Sequence, residues 1–108
     1  MINLKRKHFE ELCRIFEKYC PKAEIWAYGS RIHGDSHDGS DLDMTVKTFN
    51  DPEKNLGGLK ELLDDSDIPF LMDISEFDRL PLSFQTEILK NHMKLFPEEE
   101  STKQTLIS

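Results

Sequence analysis

A short apolar, aromatic run from Ala23 to Tyr28 stops at Gly29-Ser30, and after ten further residues a strictly alternating segment opens with Asp41-Leu42-Asp43. These two segments constrain the chain more than any other part of it. The first reads as a buried strand ended by a turn, because Gly-Ser interrupts an apolar run. The second reads as a strand over Ser40 to Lys47. Leu42, Met44 and Val46 point one way, and Asp41, Asp43 and Thr45 point the other. Pro69 to Ser75 repeats the pattern, with Phe70, Met72 and Ile74 on one face and Leu71, Asp73 and Ser75 on the other. Two strands therefore present acids on a polar face and need helices on the opposite, apolar one.

The helices are legible from spacing. Phe9, Leu12, Cys13, Phe16, Tyr19 and Cys20 recur at helical intervals, and Pro21 ends that pattern. Asp51-Pro52 has the chemistry of a helix start, leading into Leu56, Leu59, Leu62 and Leu63, with Gly57-Gly58 as an interruption. Ser83 reads as the cap of a last helix carrying Phe84, Ile88 and Leu89. Met93 to Phe96 reads as a final strand or an extension of that helix. Residues 31–40 are polar, include Gly34 and Gly39, and read as a turn of helix and a loop. From Pro97 the sequence is Glu-rich, then Ser/Thr/Lys/Gln, the composition of a disordered tail. The expected organisation is one domain over 1–96 and a tail over 97–108.

Bulk properties exclude several roles. The chain has 108 residues, enough for one core and too few for a separate substrate lobe. Its net charge of -7, from 14 basic and 21 acidic side chains, opposes general nucleic-acid binding. No apolar run approaches the roughly 20 residues a membrane helix needs, so no membrane role is expected, and the reading is a cytoplasmic protein. Cys13 and Cys20 on one helix would lie about 10 Å apart along its axis, beyond disulfide reach, and read as small apolar core residues.

The acids define a chemistry. A D-x-D pair on a strand face can bridge two Mg²⁺ ions held by hard oxygen ligands, and Asp73 on a second strand can complete one ion's shell. Gly29 lets backbone approach a phosphate closely, Ser30 adds a hydroxyl near free N–H groups, and Arg31 adds a permanent charge. Together these residues suit phosphoryl or nucleotidyl transfer from a triphosphate with Mg²⁺. His33 and His37 stand four apart but between glycines and without a third ligand, so they do not read as a zinc site. The acid-rich stretch Asp35 to Asp43 fails the calcium-loop template. Trp26 reads as core, and Tyr28, beside the turn, as a possible lining of the nucleotide pocket. His8 and His92 read as helix residues without a role.

Gly29-Ser30, ten residues and Asp41-x-Asp43, with Gly34 and Ser40 in the intervening stretch, resemble the signature of the DNA polymerase β-type nucleotidyltransferase superfamily, and its minimal members in particular. The resemblance covers residues 5–96. It implies an α+β fold, a small mixed sheet packed against helices with the site on the sheet's open side. It implies that Gly29 and Ser30 hold the triphosphate, that Asp41 and Asp43 bind the metals, and that Asp73 completes one metal site and accepts the proton of the attacking hydroxyl. Minimal members pair with an all-helical HEPN toxin and transfer AMP from ATP to a tyrosine of it, which implies a hetero-oligomer. Two rival readings are a non-enzymatic module that masks a helical partner by contact, and a small-molecule nucleotidyltransferase.

Overall fold

The computed structural model describes residues 2–33 and 41–107, with only the backbone of His33. The loop expected over residues 34–40, with Gly34, His37, Gly39 and Ser40, and the His33 side chain lie outside the described residues. The elements run α1 (Arg6–Tyr19), β1 (Glu24–Tyr28), α2 (Ser30–His33), β2 (Leu42–Thr48), α3 (Leu56–Asp64), β3 (Met72–Glu76), a 3₁₀ turn (Phe77–Arg79), α4 (Leu82–Lys90), β4 (Met93–Phe96) and α5 (Glu100–Lys103). The four strands form one sheet in the order β3-β2-β1-β4. β1 is antiparallel to both neighbours, while β2 and β3 are parallel. This is the α+β, small mixed sheet expected, and Met93–Phe96 is a strand and not a helical extension.

The main core lies between one sheet face and helices α1 and α3. Phe9, Leu12, Cys13 and Phe16 of α1 meet Ile25 and Ala27 of β1, Leu42, Met44 and Val46 of β2, Ile74 of β3, and Leu59 and Leu63 of α3. Period two explains the selection in β1, β2 and β3, which give this core their alternate, apolar side chains. Both cysteines are free and buried, and desolvation pushes their thiols up to about 12 for Cys13 and about 11 for Cys20. They pack as small apolar residues, as their spacing suggested.

Helix α3 begins later than Asp51-Pro52 suggested. Asp51 instead closes a turn, accepting from the Glu53 amide at 3.0 Å, and Asn55 caps the helix by accepting from the Gly58 amide at 2.9 Å. The two glycines sit in the first turn and do not interrupt it. Gly58 is required by packing: a Cβ there would run into the Tyr19 hydroxyl and ring. Ser83 is likewise not the cap of α4, which starts one residue earlier behind Pro81, where no side chain caps it.

The tail expected after Pro97 to be disordered is instead folded. Thr102 is buried in α5 and its Oγ1 donates to the Lys94 carbonyl at 2.8 Å. Leu106 joins the main core, and Ile107 forms a parallel bridge with Lys5. The cause lies at the other terminus. Ile2 and Leu4 are fully buried, and their backbone polar groups need partners. Residues 105–107 supply them: the Ile107 amide donates to the Leu4 carbonyl, and the Ile2 and Arg6 amides donate to the Thr105 and Ile107 carbonyls.

Candidate active site

The sheet face opposite the main core carries the other alternate side chains. Tyr28 stands opposite Asp43 across β1 and β2, and Asp43 stands directly beside Asp73 across β2 and β3. One row across the face therefore reads Tyr28, Asp43, Asp73. Neighbouring strands lie about 4.8 Å apart, so the two acids project side by side. The next row reads Trp26, Thr45, Ser75. Asp41 precedes β2 and is exposed, as is Asp73, whereas Asp43 is partly buried. Burial first, then the Asp73 and Asp41 carboxylates, push the Asp43 carboxyl above its ordinary range. The three acids thus share one electrostatic environment.

Gly29 closes the row at the end of β1. Its φ is +84°, a conformation that L side chains rarely adopt, and the Asp43 carboxylate lies directly against its α-carbon. A Cβ added there would meet the carboxylate oxygen, with the Asp43 Cγ at 3.3 Å. Glycine is therefore needed twice, for the turn and for room beside the acid. Gly29→Ala is expected to cost roughly 1–2 kcal/mol from the backbone alone. In a domain of this size that lowers the melting temperature by at least about 4–8 °C, read in a thermal melt. An unchanged melting temperature would mean that Asp43 does not lean on this turn.

Ser30 opens α2 and is half-buried beside Gly29. Arg31 follows in α2. Its side chain is only 3% exposed. Its Nη1 donates to the Asn3 carbonyl at 2.7 Å, and its guanidinium lies 4.2 Å from the centre of the Phe70 ring. Through these contacts Arg31 secures the N-terminal segment.

Among the described residues, no three acid, His or Cys side chains are already drawn together as a ligand set. The groups with the chemistry to hold a divalent cation are nevertheless Asp41, Asp43 and Asp73. All three are hard-oxygen donors, two of them in register on neighbouring strands, and burial first, then the Asp73 and Asp41 carboxylates, raise the Asp43 carboxyl. The donor set therefore fits a divalent metal.

Two sets of contacts around the acids were missed by sequence reasoning, although Thr45 and Ser75 were placed on this face. Thr45 is fully buried and donates to the Ser75 carbonyl at 3.3 Å, while the Ser75 hydroxyl donates to Thr45 Oγ1 at 3.3 Å. The signal was present, since each lies two residues beyond an acid on an alternating strand. Helix α4 covers the β1 side of this face, where Trp26, Phe77 and Ile88 form a second small core. His92, just past α4, stacks on Trp26 at 3.9 Å between ring centres, so it has a packing role that the sequence did not suggest. His8 of α1 likewise meets Phe70 edge-on at 5.4 Å. A cleft of about 270 Å³ lies between α4 and the turn, lined by Tyr28, Gly29, Phe84 and Ile88 among others.

With this geometry in hand, the comparisons with known proteins are specific. The model of the polymerase β nucleotidyltransferase family matches residues 10–101. The chain belongs to that family. It is also similar to a probable protein adenylyltransferase, MntA, of Haemophilus influenzae: 27% identity over 103 residues, covering 94% of this chain and 89% of that one. Among solved structures, it resembles a chain of a crystal structure of a toxin–antitoxin with AMP-PNP, at a TM-score of 0.65 and 18% identity over 89% of this chain and 78% of that one. The last comparison speaks to the fold. The chain is therefore a nucleotidyltransferase built on the α+β architecture described above. Among the described residues, no helix is long and apolar enough to cross a membrane.

Proposed function

We propose that this chain transfers AMP from ATP to a hydroxyl of a partner protein, and that the partner is the toxin of a toxin–antitoxin pair, an all-helical protein of the HEPN type. The observation that carries the reading is the placement of Asp43 beside Asp73 on the open sheet face, with Gly29 packed against Asp43. Asp41 and Asp43 would hold magnesium ions, two of them in the fullest form of the site, with Asp73 completing one shell. Bound there, the metal supplies positive charge to the phosphates and organises them for in-line displacement.

The chain's own residues do the rest. Gly29 and Ser30 would seat the triphosphate at the turn that follows β1. Asp73, exposed at the sheet edge beside Asp43, would accept the proton of the attacking hydroxyl. That oxygen bonds to the α-phosphorus, the bond from the α-phosphorus to the bridging oxygen breaks, and pyrophosphate leaves. A protein acceptor is supported by exposed apolar side chains near this face: Leu71 two residues before Asp73, and Leu82, Phe84 and Leu89 on α4. The similarity to a probable protein adenylyltransferase and to a toxin–antitoxin chain points the same way.

The test is to mix the purified chain with the protein encoded beside it, Mg²⁺ and ATP. The partner should gain the mass of AMP and pyrophosphate should appear. A gain of phosphate alone would refute the reaction class, and transfer undiminished in EDTA would refute the metal. Partner inhibition by stoichiometric binding, with no need for ATP, would instead favour a masking module.

A further inference from the structure

A nucleotide has a charged end and a flat, apolar end, and a site that takes the first must leave room for the second. The acids and the Gly29-Ser30 turn suit metal and phosphate, and they offer nothing to a base. A surface of the opposite chemistry begins at the same turn. The cleft of about 270 Å³ beside α4 has Gly29 in its wall together with Tyr28, Phe84 and Ile88. Ile88 is buried, whereas Glu87 and Lys90, which also line the cleft, are exposed and pair with each other at 3.5 Å. The buried part of the cleft is therefore apolar and aromatic.

Three observations fit this cleft to a base. The first is continuity. Gly29 lines the cleft and also lies against the Asp43 carboxylate, while Tyr28 stands opposite Asp43 in the sheet. A nucleotide whose phosphates lie at the acids therefore meets the cleft on the other side of one residue. The second is size. Pockets that enclose a whole drug-sized ligand measure about 300–1,000 Å³. At about 270 Å³ this one suits a ring system and its sugar, and not a segment of polypeptide. The third is the pair of rings. Tyr28 and Phe84 meet edge-on, at 86° and with centres 5.8 Å apart. Two rings at right angles form a corner, where a flat base laid on one face meets the edge of the other ring. Phe84 is 45% exposed, less than Leu71, Leu82 or Leu89, and of these four it alone lines the cleft.

We infer that the cleft between α4 and the turn seats the base of the donor nucleotide, held by its flat face against the rings of Phe84 and Tyr28. Stacking on an aromatic ring tolerates any base, because every base has a π-face. The cleft thus contributes affinity and direction. It fixes which way the nucleoside leaves the α-phosphate, and so which side of that phosphorus stays open to the incoming hydroxyl. The inference rests on the proposed function for the nucleotide it assigns. It makes Phe84 and Tyr28 binding residues with no part in the bond changes.

Calorimetry with two ligands, each with Mg²⁺, tests this. One is ATP with a methylene bridge between the α and β phosphorus atoms, which cannot be cleaved there. The other is tripolyphosphate, which has the phosphates without the nucleoside. Phe84→Ala should bind the ATP analogue about 5- to 100-fold more weakly than the wild type, the loss expected when one stacking ring is removed. Its affinity for tripolyphosphate should be unchanged. Phe84→Tyr keeps the ring and should bind both ligands as the wild type does. Phe84→Leu keeps apolar volume on α4 without the ring, and should behave as Phe84→Ala. Unchanged analogue affinity in Phe84→Ala and Phe84→Leu would overturn the subsite. Equal loss of both ligands in Phe84→Leu would overturn it too, since the phosphate seat would then be what suffers. A raised KM for the partner at unchanged analogue affinity would give the cleft to the acceptor instead. The proposed function fails differently: a wild type that binds the analogue but moves no AMP to its partner counts against that reading, with the two ligands still deciding the subsite. A wild type that binds neither ligand would overturn both.

Discussion

Replacing Asp43 by Asn is expected to reduce AMP transfer by more than about 100-fold, the upper end of what is lost when only a metal ligand's supporting group is removed. The same change should leave the metal-free protein as stable as before, or more so. The substitution keeps the side chain's shape beside Gly29 and removes one of three charges that oppose each other. The pH dependence gives the sign. Asp43's carboxyl is raised in the folded protein by burial, then by Asp73 and Asp41. Between the unfolded value, about 3.9, and the raised folded value, the native state holds more protons than the unfolded one, so stability falls as pH rises through that window. At neutral pH the full cost is present, and Asn removes it. The advantage of Asp43→Asn should therefore be greatest at neutral pH. It should shrink as pH falls through Asp43's raised value and vanish below the ordinary carboxylate range. Melts of both proteins between neutral and acidic pH check this. The variant should also lose most of the extra stability that Mg²⁺ with ATP gives the wild type, since ligand binding to the native state supplies it. A less stable metal-free variant that kept its nucleotide-induced stabilisation would show Asp43 to be a structural acid.

What the sequence disclosed about this site was decided by distance along the chain. Asp43 and Asp73 could be placed on a common face because strand alternation is a local property, and the parallel register brings them side by side as the pattern required. Thr45 and Ser75 were legible by the same rule. Arg31's contacts with Asn3 and Phe70 were not, because no local pattern links those residues to it. The start of α3 was misjudged for a similar reason. Asp51-Pro52 is sound capping chemistry, but the helix must begin where Gly58 can meet Tyr19, and that contact is tertiary. Local composition likewise made His92 look idle, although it stacks on Trp26.

The C-terminal segment shows how far composition alone can mislead, and Leu106→Ala measures it. A disordered tail predicts an effect within about 0.5 kcal/mol. The fold predicts a loss of about 2–5 kcal/mol, because Leu106 is only 8% exposed and belongs to the main core. At about 4–8 °C per kcal/mol, that is a fall in melting temperature of roughly 10 °C or more. The loss should lie at the upper end if the cavity loosens residues 105–107, since these also satisfy the backbone of the buried segment containing Ile2 and Leu4. Glu99→Gln serves as the control. Its side chain is exposed and its ion pair with Lys94 is a surface one, so it should move stability by less than about 1 kcal/mol. Ile2, Leu4 and Leu106 belong to the main core, on the sheet face opposite the acids. Well below its own melting temperature, Leu106→Ala should therefore still be stabilised by Mg²⁺ with ATP to the same extent as the wild type. Loss of stability with the nucleotide response intact would show that the tail completes the core while the strands alone position the acids. Loss of both in parallel would mean that the terminal segment also shapes the site.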